Sequence, residues 1–189
     1  LLAAVAGALL GLVVGLTFPN LALFGTSSIG TVVAFAAAVA AAVSSTLAYR
    51  RTKSLPAYAW RRDLSPTRSA VDLISVVTVH TVLAILSVLA AFYLLSASFK
   101  GLQTDEFWAT TLAGIAVGLS AYYCYLSVSR VNTQRMTSLL LTFVVIGTVT
   151  AMVTAPDPRW WETHFSHLGT FFSISGLMFN GTLVVAGLL

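Results

Sequence analysis

Long apolar stretches separated by short polar ones set the pattern of this chain. Six runs, at about 1–18, 26–49, 70–98, 107–129, 136–155 and 170–189, carry almost no charge. A helix rises 1.5 Å per residue and a bilayer's hydrocarbon core is about 30 Å thick, so each run is of a length that can cross it. None shows the alternation of a barrel strand, which repeats over roughly ten residues. The pattern predicts an all-α integral membrane protein. Its expected form is one domain over 1–189, a bundle of six transmembrane helices with a short amphipathic outer-surface helix at about 158–168 before the last span.

Composition supports that reading. Hydrophobic residues make up 58% and charged residues 8% of the 189, where soluble domains carry about 25% charged residues. The single cysteine, Cys124, excludes an internal disulfide and a CxxC metal or redox pair. Leu1–Phe18 has no basic leader or cleavage motif, so it reads as a span rather than a signal peptide. The chain starts and stops within apolar sequence, and more is expected beyond one or both ends.

Charge enters through its placement. The net charge of +4 is no signal for nucleic acid. Arg50, Arg51, Lys53, Arg61, Arg62 and Arg68 lie between the second and third runs, and Arg130 and Arg135 between the fourth and fifth. These connections fall on the same side of a six-span layout. The opposite side holds Lys100 and Arg159. The positive-inside rule then predicts a plasma-membrane protein with both ends cytoplasmic. Tyr49, Tyr122, Tyr123 and Tyr125 mark the inner interface, and Tyr93, Phe99, Phe107 and Trp108 the outer one. The basic cluster, interleaved with Tyr58 and Trp60, is expected to contact anionic headgroups on the cytoplasmic side. A cytoplasmic docking site is its alternative use.

Glycine recurs every fourth residue at Gly7, Gly11 and Gly15, and again at Gly114 and Gly118; Ala34–Ala42 is rich in alanine. Such faces let helix backbones approach in lipid. They serve packing within the bundle or, alternatively, contact with a membrane-protein partner or a second copy.

Candidate chemistry concentrates in Ala155–Gly169, APDPRWWETHFSHLG. Asp157 and Pro158 have the form of a helix start and Gly169 that of a stop. At 100° per residue, Trp161, Phe165 and Leu168 share one face, with Glu162, Thr163 and Ser166 opposite. The helix should lie on the outer surface with its tryptophans as anchors. His164 and His167 are one turn apart and point the same way, an incomplete ligand set for zinc. No HExxH or HxxEH motif accompanies them, so no metal and no cofactor is expected. Trp160, Trp161, Glu162, His164 and His167 are candidate ligand- or lipid-binding residues.

His80 and Asn180 are polar side chains within spans, where such groups usually face the bundle interior and bond another helix. A solute path is the sharper alternative. None of the six acids is mid-span; Asp72 lies near the inner end of the third run. This argues against a proton-coupled carrier. Ser173 and Ser175 are nucleophile candidates beside His167, but their usual bond is to the preceding helical turn.

The run Asp157-Pro158-Arg159-Trp160-Trp161-x-x-His164-Phe165-Ser166-x-Leu168-Gly169, followed by a helix holding Phe179-Asn180-Gly181, resembles the domain-of-unknown-function family 998. These are bacterial, commonly actinobacterial, multi-span membrane proteins. The resemblance covers Asp157–Leu189. It implies a fold and a membrane address but no activity, and it marks Trp160, Trp161, Phe165, Ser166, Leu168, Gly169, Phe179 and Asn180 as signature positions.

The sequence therefore points to a non-enzymatic accessory, scaffold or lipid- or ligand-sensing protein. A membrane-interface lipid hydrolase using His164 and His167 with nearby carboxylates is the alternative, and a small-solute channel or carrier the third.

Overall fold

The computed structural model describes residues 1–18, 21–25, 27–53, 55, 65–99, 105–130, 133–157, 159–170 and 172–188, with backbone alone at 133–136 and 188. The described residues form six α-helices: α1 (Leu2–Thr17), α2 (Ile29–Thr52), α3 (Pro66–Ser98), α4 (Glu106–Ser129), α5 (Thr133–Val153) and α6 (Ile174–Leu188). Two short 3-10 turns, Trp160–Glu162 and Phe165–Thr170, lie between α5 and α6. No strand is formed among the described residues; the one extended contact is an isolated bridge between Ala22 and Ser28.

α2, α3 and α4 are long and apolar enough to cross a membrane. The apolar helical stretches Leu2–Thr17, Thr137–Val153 and Ile174–Gly187 are shorter. At its 16 residues α1 is about 24 Å long, below the usual 17-residue minimum of a span. Among the described residues, three of the six runs thus yield helices that are long and apolar enough to span.

Contacts group the chain into two compact units, Leu1–Arg130 and Val131–Leu189. In the first, α1 packs on α4, and α2 touches α1, α3 and α4. That central position explains the alanine run. Ala34, Ala36, Ala37, Ala40 and Ala41 are all buried, since small side chains on several faces let three neighbours close in. Bulky residues point outward instead: Phe35 is 69% and Ile74 62% exposed. Large apolar groups outside and small ones inside suit a lipid surround.

The two glycine stripes meet each other. A Cβ at Gly7 would lie 2.7 Å from that of Ala121 and 2.9 Å from the Val117 carbonyl oxygen. At Gly11 it would strike the backbone of Ala113 and Gly114, and at Gly15 that of Thr110. Gly7, Gly11 and Gly15 are buried in this seam. The face is therefore used for packing inside the unit.

Caps fix where the helices begin. Ser28 accepts from Thr31 N at 3.2 Å, Ser65 from Arg68 N at 3.4 Å ahead of Pro66, and Asp105 from Trp108 N at 2.8 Å. At the entry to α2 the chain folds back, with Ile29 N donating to Ala22 O and Gly30 N to Leu23 O. Gly25 takes φ +141° there, a value that L side chains rarely adopt.

Contacts also fix the helix directions. Tyr49 at the end of α2 donates its hydroxyl to Asp72 Oδ2 near the start of α3, at 2.6 Å. Lys53 Nζ reaches Ser69 Oγ at 3.0 Å, and Arg51 Nη1 reaches the Tyr125 hydroxyl near the end of α4 at 3.4 Å. The four helices therefore alternate in direction. Arg50, Arg51, Lys53, Arg68 and Arg130 all gather at one end of the unit, while Asp105 and Glu106 sit at the opposite end.

The second unit is built on the pairing of α5 with α6. A Cβ at Gly147 would strike the Thr182 side chain, so glycine lets the two helices touch. Ser175 Oγ donates to Ala151 O at 2.8 Å across the same pair. A small core of Ala151, Leu168 and Phe179 closes its end, flanked by Met152, Ala155, Trp160 and Met178.

Candidate functional site

The polar segment before α6 does not form the single amphipathic helix expected at about 158–168. Asp157 Oδ1 accepts from Arg159 N at 2.8 Å, an Asx turn two residues long rather than an α-helical cap. A 3-10 turn follows over Trp160–Glu162 and stops at Thr163, whose ψ is −102°. The Thr163 hydroxyl donates to Trp160 O at 3.0 Å, and so competes for a carbonyl that a continuing helix would use. A second turn starts at Phe165. Pro158 lies outside the described residues.

This break changes which tryptophan is the inward one. Trp160, not Trp161, packs against the Ala151–Leu168–Phe179 core. Trp161 is 62% exposed, so it does not share a buried face with Leu168, which is 0% exposed. Aromatic rings carry the connection inward. Trp160 and Phe165 meet edge to face at 6.4 Å between centroids, and Phe165 meets Phe179 at 5.3 Å. Trp161 rests edge-on against Trp160 at 6.1 Å.

Gly169 and Asn180 are joined here. Asn180 Nδ2 donates to Gly169 O at 2.8 Å, tying the second turn to α6. A Cβ on Gly169 would come within 2.6 Å of Asn180 Oδ1 and 3.0 Å of the Phe179 ring. Glycine is needed for close approach, and Gly169 sits inside the turn instead of ending a helix. Asn180 is exposed on α6, so the expectation that it faces a bundle interior is replaced by this loop-holding bond.

Glu162 and His164 are exposed; His167 is half-buried. His167 Nδ1 lies 3.1 Å from Thr170 Oγ1, and its backbone N donates to His164 O at 2.8 Å. One histidine ring is thus engaged within its own turn. Among the described residues no group of three or more His, Cys, Asp or Glu side chains is placed to hold a metal ion. Ser175 Oγ is spent on Ala151 O, which removes it as a nucleophile beside His167.

His80 belongs to the other unit and is buried, at 3% exposure. Its Nδ1 lies 2.7 Å from Val76 O and its Nε2 3.0 Å from Ser127 Oγ on α4. Both ring nitrogens are engaged, and the second engagement is the interhelical bond the sequence led one to expect. Arg50 and Arg68 are exposed beside Arg51 and Lys53; Arg61, Arg62, Tyr58, Trp60 and Lys100 lie outside the described residues.

Two pairings escaped the sequence reading. The Tyr49–Asp72 bond had one available signal, an acid close to a span end opposite an interfacial tyrosine. Nothing in the sequence singled out Ser127 as the partner of His80. No family model, curated protein or solved structure matches the chain, so the resemblance seen in Asp157–Leu189 rests on its residues alone.

Proposed function

We propose that the chain is a non-enzymatic accessory or sensing protein of the cell membrane. It crosses six times with both ends cytoplasmic and displays residues 155–170 at the outer surface. The shorter helices reach across by local thinning of the bilayer and snorkelling of flanking residues. What supports the orientation is the segregation of Arg50, Arg51, Lys53, Arg68 and Arg130 to one end of the first unit. These residues contact anionic headgroups there.

One observation carries the non-enzymatic part. The polar side chains that drew attention in the sequence are bonded to the fold itself: His80 to Ser127, Asn180 to Gly169, His167 to Thr170 and Ser175 to Ala151. Groups spent on structure are poorly placed for chemistry. The outer segment instead offers Trp161, Glu162 and His164 as an exposed surface, held by the aromatic contacts beneath it.

The test is a reconstitution of purified chain into phosphatidylcholine–phosphatidylglycerol vesicles, assayed for phospholipid cleavage and for release of a trapped small solute. Rates equal to those of protein-free vesicles are expected. Lipid cleavage that vanishes in the double variant His164→Ala, His167→Ala would overturn the reading.

A further inference from the structure

We infer that α1, α2 and α4 form a discrete binding site for one anionic phospholipid: an acyl chain lies in the groove between α1 and α2, with the phosphate on Arg50 and Arg51. The inference rests on the proposed contact of the basic end with anionic headgroups, whichever membrane face that end meets.

The groove follows from residue size. Gly7 on α1, Ala40 on α2 and Ala121 on α4 make its floor, and all three are buried. Ala6, Val43 and Leu47 rise on either side. The space is about 160 Å³. Its walls are apolar, so a hydrocarbon chain costs less to place there than a polar group. Ser44 also borders it, but its hydroxyl is turned to Ala40 O at 2.6 Å. The lining therefore suits a methylene chain rather than a polar ligand.

Charge identifies the occupant. Val43 and Leu47 are four apart, and Arg50 and Arg51 follow three and four residues after Leu47, on the same side of α2. Arg51 is further located by its contact with Tyr125, one turn beyond the floor residue Ala121 on α4. Helix periodicity thus puts Arg50 and Arg51 on the groove side of α2, one turn beyond its last lining residue, Leu47. Arginine matches phosphate geometry through paired N–H donors. A zwitterionic lipid brings the same tail but a headgroup with no net charge. A second helix, from this chain or another copy, brings no phosphate.

The full chain is purified in mild detergent, incubated with equimolar phosphatidylglycerol and phosphatidylcholine, and examined by native mass spectrometry. One retained phosphatidylglycerol per chain is expected. Arg50→Gln with Arg51→Gln should lower retention roughly tenfold to thirtyfold, and Arg50→Lys with Arg51→Lys should restore most of it. Ala6→Leu, which fills the groove from an exposed wall and leaves every charge in place, should lower it as strongly. Arg68→Gln, on a helix that does not line the groove, should lower it far less than the arginine pair does.

Equal losses for Arg68→Gln and the arginine pair, or full retention in Ala6→Leu, would mean diffuse surface attraction and overturn the site. Equal retention of the two lipids would do the same, as would a helix or second copy cross-linking to position 6 in place of lipid. None of these results bears on orientation. An inverted topology would leave the lipid count as it stands and overturn only the proposed function.

Discussion

His80 Nε2 and Ser127 Oγ lie 3.0 Å apart, joining α3 to α4 across 47 residues of sequence. The other ring nitrogen faces the Val76 carbonyl, which can only accept. In the neutral ring Nδ1 therefore donates and Nε2 accepts from the serine hydroxyl. Cys124 adds a weak S–H contact to the His80 carbonyl oxygen at 3.9 Å. A polar side chain inside a span is tolerable on such terms, because both of its ring nitrogens have hydrogen-bond partners.

The pair should show measurable coupling. In a double-mutant cycle of His80→Ala and Ser127→Ala, unfolded in mixed micelles, an interaction of roughly 0.6 to 1.7 kcal/mol is expected. Additive single losses would mean that the contact contributes nothing to holding α3 and α4.

The glycine seam predicts a sharp positional contrast. Gly11→Val drives its side chain into the Ala113–Gly114 backbone and should cost at least about 3 kcal/mol of stability. At Gly181 a Cβ meets nothing within 4 Å, so Gly181→Ala should be neutral or stabilise the helix by up to about 1 kcal/mol. Denaturation midpoints of the two variants check this. Similar midpoints would contradict the α1–α4 packing.

Asn180→Leu removes the bond that ties Gly169 to α6. Amide exchange of residues 165–170 should then rise at least about fivefold, corresponding to roughly 1 kcal/mol of lost local protection. The α5–α6 pairing should persist through Ser175 and Gly147. Unchanged exchange at 165–170 would show that the aromatic contacts alone hold the turn.

Periodicity made some of this legible and hid the rest. Gly7, Gly11, Gly15, Gly114 and Gly118 announced close packing, because a spacing of four keeps small residues on one face. They could not say that the two stripes face each other, since pairing is a tertiary choice. The break at Thr163 was hidden for a different reason. The sequence fits a period of 3.6 through 158–168, whereas the Thr163 hydroxyl and the Phe165–Phe179 contact favour two shorter turns. Asn180 looked like an interior group because span position alone suggests burial. Its real partner is a loop carbonyl that only the folded chain brings near. The third run also continued further than expected, since Ser65 and Pro66 start α3 one turn before residue 70.

The proposed function depends on orientation, and position 163 reads it directly. Cys124 is buried, which keeps the native thiol away from a polar maleimide. A Thr163→Cys variant in intact cells should be labelled by a membrane-impermeant maleimide, while Arg68→Cys should be labelled only after the membrane is opened. Labelling of Arg68→Cys in intact cells, with Thr163→Cys reached only after permeabilisation, would contradict the account.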